Sequence, residues 1–249
     1  MVLNEKKLRL FEELCSGDIG FQGLPTEIRR RYDLPQQELN YRLREAPLRL
    51  IFERVHEGQE TLETGAGYST IVFALCGAKH TAISPLAIEH DRIRQWCEAR
   101  GVSLDNVRFV VAPSQDVLPG LGGAPLDFVL IDGDHAFPVP FVDFLYGAGR
   151  LRPGGIVMVD DTHITTGRIL DDFLSSEAGR WRRLETFETS SAFERLDGDL
   201  LDPGGWMTQP FCEEVRPRTP TTVVAGMVGA VRSKVALRTR LRGLRDRLR

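Results

Sequence analysis

LDFVLIDGDH, Leu126–His135, is the stretch that decides the fold. An apolar run of strand length stops at Asp132 and gives way to acid, glycine, acid and histidine, the pattern of a buried strand running out into a turn. Three more stretches repeat the figure: TLETGAGYST at Thr61–Thr70, VVAPSQDVLPGL at Val110–Leu121 and GGIVMVDDTH at Gly154–His163. Short apolar runs alternating with helical stretches are the mark of a parallel sheet joined by crossover helices. Strands are predicted near Thr61–Glu63, Thr81–Ser84, Val107–Ala112, Leu126–Ile131 and Ile156–Val159. Helices are predicted near Ser69–Cys76, Ala87–Arg100, Phe141–Leu151 and Arg168–Ser175. Trp181–Glu188 and Ser191–Leu196 alternate as an antiparallel pair that would close one edge of the sheet.

The expected fold is therefore α/β and Rossmann-like: a mostly parallel seven-stranded sheet with an antiparallel edge and helices on both faces. Residues 1–55 lack strand alternation and read as a helical N-terminal cap, broken at Gly17–Gly23, Pro25, Pro35 and Pro47. Residues 56–200 form the core, and 201–249 a loop followed by a basic amphipathic helix. From Thr221 to Arg249 there are eight Arg or Lys and one acid, about +7, which leaves the remainder near −10 against a formal total of −3. An acidic body argues against nucleic acid as a partner. In 231–249, Leu237, Leu241, Leu244 and Leu248 line one helical face among arginines, suited to an anionic membrane surface or a partner protein, with docking on its own domain as the alternative. At 42% hydrophobic and 27% charged, with no long apolar stretch and a charged N-terminus, the chain reads as cytoplasmic, at most peripheral at the inner membrane surface. Four scattered cysteines fit reduced thiols, and a homo-oligomer is compatible with the composition.

Sheets of this kind bind ligands beyond the carboxyl ends of their strands. Glu63-Thr-Gly, Ser114-Gln115, Asp132-Gly-Asp-His and Asp160-Asp161 all stand there. In the first turn, Gly65 and Gly67 permit a tight bend and close approach of a ligand, Tyr68 follows, and Ser69 opens a helix whose free N–H groups favour an anion. A dinucleotide fingerprint would place a third glycine where Thr70 stands. Taken alone, the turn supports only a strand-to-helix bend, and Asp132 or Asp134 alone could be no more than a helix cap. The second strand ends His80-Thr-Ala-Ile-Ser-Pro85 without the acid that usually holds a ribose. Glu89, on the following helix, is the nearest substitute, and a solvated helix acid is the commoner role for such a residue.

From Glu60 to Leu174, the order and spacing of these motifs resemble those of the catechol O-methyltransferase family, and His135 resembles the macrocin-type sugar O-methyltransferases. The resemblance implies a class I methyltransferase using S-adenosyl-L-methionine, held by Glu63, Gly65, Gly67, Tyr68, Ser69, Ser114, Gln115 and Asp132, with Ser114 and Gln115 at the adenine. It implies a divalent cation, Mg²⁺, on Asp132, Asp160 and Asp161, the first two being 28 residues apart. His135 stands where the catechol enzymes carry a catalytic lysine, and it is the expected base for a small-molecule hydroxyl acceptor. Oxygen-only ligands suit Mg²⁺, and an imidazole is half poised at neutral pH. A metal-free methyltransferase and a non-catalytic cofactor-binding scaffold are the alternatives. His163 is a second choice of base, and His56, His80 and His90 read as structural or solvated. Phe137-Pro-Val-Pro-Phe141 would wall the acceptor, with Trp206 and Arg29-Arg30-Arg31-Tyr32 as further candidates to close the site.

Overall fold

A computed structural model describes residues 2–17, 42–196 and 209–213. The chain divides into two compact units, residues 1–201 and 202–249. In the second, the described part is one short helix, Pro210–Glu213. The expectations for Arg29–Tyr32, Trp206 and the 231–249 helix lie outside the described residues.

In the first unit, helices α1 (Val2–Ser16) and α2 (Glu45–Arg54) precede the sheet. The strands are β1 (Glu60–Thr64), β2 (Lys79–Ser84), β3 (Val107–Val111), β4 (Leu126–Ile131), β5 (Leu151–Val159), β6 (Trp181–Thr186) and β7 (Ser191–Arg195). Between them lie α3 (Tyr68–Cys76), α4 (Ala87–Arg100), α5 (Ser114–Val117), α6 (Val139–Gly147) and α7 (Thr165–Ser176). The seven strands lie in the order β3-β2-β1-β4-β5-β7-β6. The first five are parallel, and β7 runs antiparallel to both β5 and β6. The predicted α/β fold is the observed one.

Alternation along β4 shows how the sheet is held. Phe128 and Leu130 point to one face, into a core with Phe73 of α3, Ile93 of α4, and Phe11, Leu14 and Ile51 of α1 and α2. Val129 and Ile131 point to the other, where Leu170 and Leu174 of α7, Trp181 and Phe193 meet them. That two-residue period is the geometry of a strand covered on both sides. Helices α3 and α4 stop at Gly77 and Gly101, both left-handed, which closes their last turns. At the end of α1, the Arg42 guanidinium donates to the carbonyls of Leu14, Cys15 and Gly17 and lies 4.4 Å over the Tyr68 ring.

Two expectations change in detail. Pro47 does not break a helix: it lies in the first turn of α2, where its missing N–H has no partner to lose. The segment Leu151–Gly155, which begins at the last residue of the predicted helix Phe141–Leu151 and precedes the predicted strand Ile156–Val159, belongs to β5, because Leu151 pairs with Leu126 across a register shift before the regular ladder begins at Phe128 and Ile156. Helix α6 accordingly ends at Gly147.

Candidate active site

The order of strands reverses between β1 and β4, which opens a crevice beyond their carboxyl ends. Gly65 turns the chain there with φ +91°, and its N–H donates to the Ile83 carbonyl at 2.8 Å. A Cβ at this position would stand 2.2 Å from the Asp132 carbonyl oxygen, so the turn fits against the end of β4 only as glycine. Gly67 is different: a Cβ there meets nothing within 4 Å. Its N–H donates to Thr70 Oγ1 at 3.0 Å, and α3 begins at the next residue.

Glu63 is buried at the end of β1 and already has protein partners. Its Oε1 accepts a hydrogen bond from Thr70 Oγ1 and lies 3.1 Å from His80 Nε2. His80 Nδ1 is in turn 2.9 Å from Thr61 Oγ1, and the ring stacks on Phe73 at 4.3 Å. His80 is thus a buried structural histidine, anchored through Thr61 and Phe73 beside Glu63. The Tyr68 side chain leaves the turn altogether: its hydroxyl is 3.4 Å from the Gly17 carbonyl. Ser69 is buried at the start of α3. Ser114 is buried at the start of α5, and Gln115 beside it is exposed.

Beyond β4 and β5 the acids converge. Removal from water, and then the charges of Asp160, Asp161 and Glu63, push the Asp132 carboxyl well above its usual range. Burial also raises Asp160, against a hydrogen bond that it accepts from Ser190 Oγ. Asp161, at φ 51°, sets Oδ2 2.8 Å from His135 Nε2, and that hydrogen bond lowers its own pKa. Burial alone would lower His135, but the Asp161 hydrogen bond and the charges of Asp161, Asp160 and Asp134 outweigh it and raise the imidazole. Thr166 Oγ1 donates to the His135 carbonyl at 2.8 Å, which ties this turn to α7. His163 Nδ1 lies 3.5 Å from Asp161 Oδ1. Asp134 accepts from the Ala136 N–H at 2.8 Å and closes the local turn.

The donor set suits a hard divalent cation in kind, being three carboxylates on neighbouring strand ends. As arranged, Asp160 faces Ser190 and Asp161 faces His135, and no three His, Cys, Asp or Glu side chains among the described residues converge as ligands of one ion.

Three residues enter that the sequence reading passed over or misplaced. Asp143 of α6 is buried, and a Cβ on Gly133 would stand 3.4 Å from its Oδ2 and 3.2 Å from the Thr64 side chain. Burial pushes its carboxyl up to about 6, with Ser114 and Thr64 working against the rise. A lone acid in the apolar stretch Val139–Gly147 was the available signal. Ser190 had none. Glu89, expected to be solvated, is half-buried and hydrogen-bonded to Ser84 at 2.5 Å. Phe137 is 77% exposed, with its ring 5.7 Å from that of Phe141.

Comparison with known proteins follows the same outline. Residues 62–162 match the family model of a methyltransferase domain. Over 153 residues the chain is 32% identical to a catechol O-methyltransferase of Mycobacterium tuberculosis, covering 60% of this chain and 67% of that one. A catechol O-methyltransferase of Niastella koreensis is 30% identical over 123 residues, 47% of this chain and 54% of its own length. Among solved structures, the O-methyltransferase TomG of Streptomyces achromogenes, in complex with SAM, superposes with a TM-score of 0.52 at 20% identity, over 72% of this chain and 93% of its own. That last likeness is one of fold. The relative covered over two thirds of its length, together with the matching domain, places this chain in the class I S-adenosylmethionine-dependent O-methyltransferases.

Proposed function

We propose that the chain transfers the methyl group of S-adenosyl-L-methionine to a hydroxyl oxygen of a small metabolite, a sugar, polyol or catechol-like compound, with help from a divalent cation such as Mg²⁺. The observation that carries this reading is the His135–Asp161 pair, 2.8 Å apart beside Asp132 and Asp160 at the switch-point end of the sheet. In it, Glu63, Gly65, Gly67, Ser69, Ser114 and Gln115 line the cofactor, with the Tyr68 backbone N–H at the opening turn of α3. Asp132, Asp160 and Asp161 would hold the cation, which supplies positive charge that favours an alkoxide.

His135 takes the proton. With Nε2 engaged by Asp161, Nδ1 is the nitrogen left to receive it, as the acceptor oxygen bonds to the methyl carbon and sulfur keeps the electron pair of the broken C–S bond. Asp161 holds the imidazole in orientation and stabilises its charged form. Phe137 and Phe141 present an apolar wall next to the base. The helical segments of residues 1–55 serve as a cap, 56–200 as the catalytic core, and 201–249 as the tail.

The Asp161–His135 hydrogen bond also favours a second reading. In it Asp161 belongs to the histidine, and the acids position the acceptor with no cation. Chelation separates the two. Methyl transfer abolished by thorough EDTA treatment and restored by Mg²⁺ supports the cation; transfer unchanged by chelation removes it.

A further inference from the structure

Strand β2 ends Ile83-Ser84-Pro85, without the carboxylate that sheets of this kind place there to hold a ribose. The side chain of Glu89 occupies that place from the next element. It stands in the first turn of α4, and its Oε2 accepts a hydrogen bond from Ser84 Oγ at 2.5 Å. Ser84 Oγ accepts in turn from the Leu86 N–H at 3.2 Å, so the strand end, the bend and the helix start are tied together. The Ile83 carbonyl is held by the Gly65 N–H, which puts the end of β2 directly beside the glycine turn. The charge of Arg92, three residues on in the same helix, favours the ionised Glu89 carboxylate, and that of Glu63 across the turn opposes it more weakly. Oε1 of Glu89 receives no hydrogen bond from any described residue.

We propose that Glu89 is the ribose-binding acid of this enzyme, its carboxylate accepting hydrogen bonds from the 2′- and 3′-hydroxyls of the cofactor while Ser84 orients it. A helix residue thus does what a strand-end acid would do. Two consequences of the geometry favour this over a purely local role. A first-turn acid that only complements the helix dipole has no need to be drawn back onto the strand end. Among the described residues Glu89 Oε1 is neither buried nor hydrogen-bonded, so it is free to accept, and a vicinal diol supplies two donors to the carboxylate at once.

The inference rests on the cofactor assigned to the family, and the experiment keeps the two apart. Calorimetry would compare S-adenosylhomocysteine with its 2′-deoxy analogue on the wild type, Glu89→Gln and Glu89→Ala, alongside thermal unfolding of each protein without ligand. Hydrogen bonds to a charged group are worth about 1.5–3 kcal/mol, so Glu89→Ala should bind S-adenosylhomocysteine about 10- to 100-fold more weakly. Removing the 2′-hydroxyl should cost the wild type about tenfold and the Ala variant almost nothing, with Gln between. Equal penalties for the analogue in wild type and variants would overturn the proposal, as would undiminished binding by Glu89→Ala. If Ala unfolds the protein, the Gln variant carries the same comparison. Failure of the wild type to bind S-adenosylhomocysteine at all would overturn the cofactor assignment and this inference with it.

Discussion

Replacing Asp143 by Asn should change how the stability of this protein depends on pH, by an amount the structure sets. The carboxyl lies under Gly133 at 1% exposure, and burial raises its pKa to about 6. In the unfolded chain an aspartate titrates near ~3.9. Between these values the folded protein holds a proton that the unfolded chain has lost, so stability falls as pH rises through the window. Each pKa unit is worth about 1.4 kcal/mol, and the interval from about pH 4.5 to about pH 6 therefore corresponds to about 2 kcal/mol. Asparagine cannot titrate. Urea unfolding followed by circular dichroism, on both proteins from about pH 4.5 to about pH 7.5, should show the wild type losing about 2 kcal/mol relative to Asp143→Asn. The constant offset between them, which reflects how the amide fits beside Thr64 and Ser114, is not what is read. Parallel profiles would refute the reasoning, because they would mean that the Asp143 carboxyl titrates in the folded protein as it does in water.

Two further substitutions separate packing from ligand contact. Gly65→Ala places a methyl group 2.2 Å from the Asp132 carbonyl at φ +91°, and should cost about 2 kcal/mol or more in unfolding free energy together with S-adenosylhomocysteine binding. Gly67→Ala, whose methyl meets no protein atom, should leave stability within about 1 kcal/mol and weaken ligand binding alone; equal effects at the two sites in thermal unfolding would contradict the geometry. Phe137→Ala should alter stability by no more than about 0.5 kcal/mol and raise KM for the acceptor, since the ring is 77% exposed. A large loss of stability with KM unchanged would make Phe137 a packing residue instead.

The inner strands were legible because burial on both faces turns them into unbroken apolar runs, as in Phe128–Ile131 and Ile156–Val159. Arg152-Pro-Gly-Gly155 reads locally as a loop, and only its pairing beside β4 makes it strand. Pro47 misled for a similar reason: its effect depends on where in a helix it falls, and Arg44 as the capping residue places it within the first turn. The acids of the site stood out because each ends an apolar run. Their partners did not. Ser190 reaches Asp160 from the β6–β7 turn, and Asp143 reaches Thr64 and Ser114 from a helix that reads as plain core. Tyr68 follows the glycine turn in sequence, yet its ring turns toward Arg42 and Gly17, because direction along a helix start is set by tertiary packing. Glu89 lies five residues beyond the strand it returns to, a reach that depends on the bend at Pro85.

The central claim is that His135, oriented by Asp161, takes the proton from a hydroxyl as it is methylated. Its most direct test is His135→Ala, measured for both turnover and S-adenosylhomocysteine affinity, with methylated product identified by mass spectrometry across sugar, polyol and catechol acceptors. The account predicts an O-methylated product from the wild type, a fall in kcat of about 10²- to 10⁴-fold in the variant, and cofactor affinity unchanged. Turnover equal to wild type, or a loss that follows cofactor affinity alone, would contradict it.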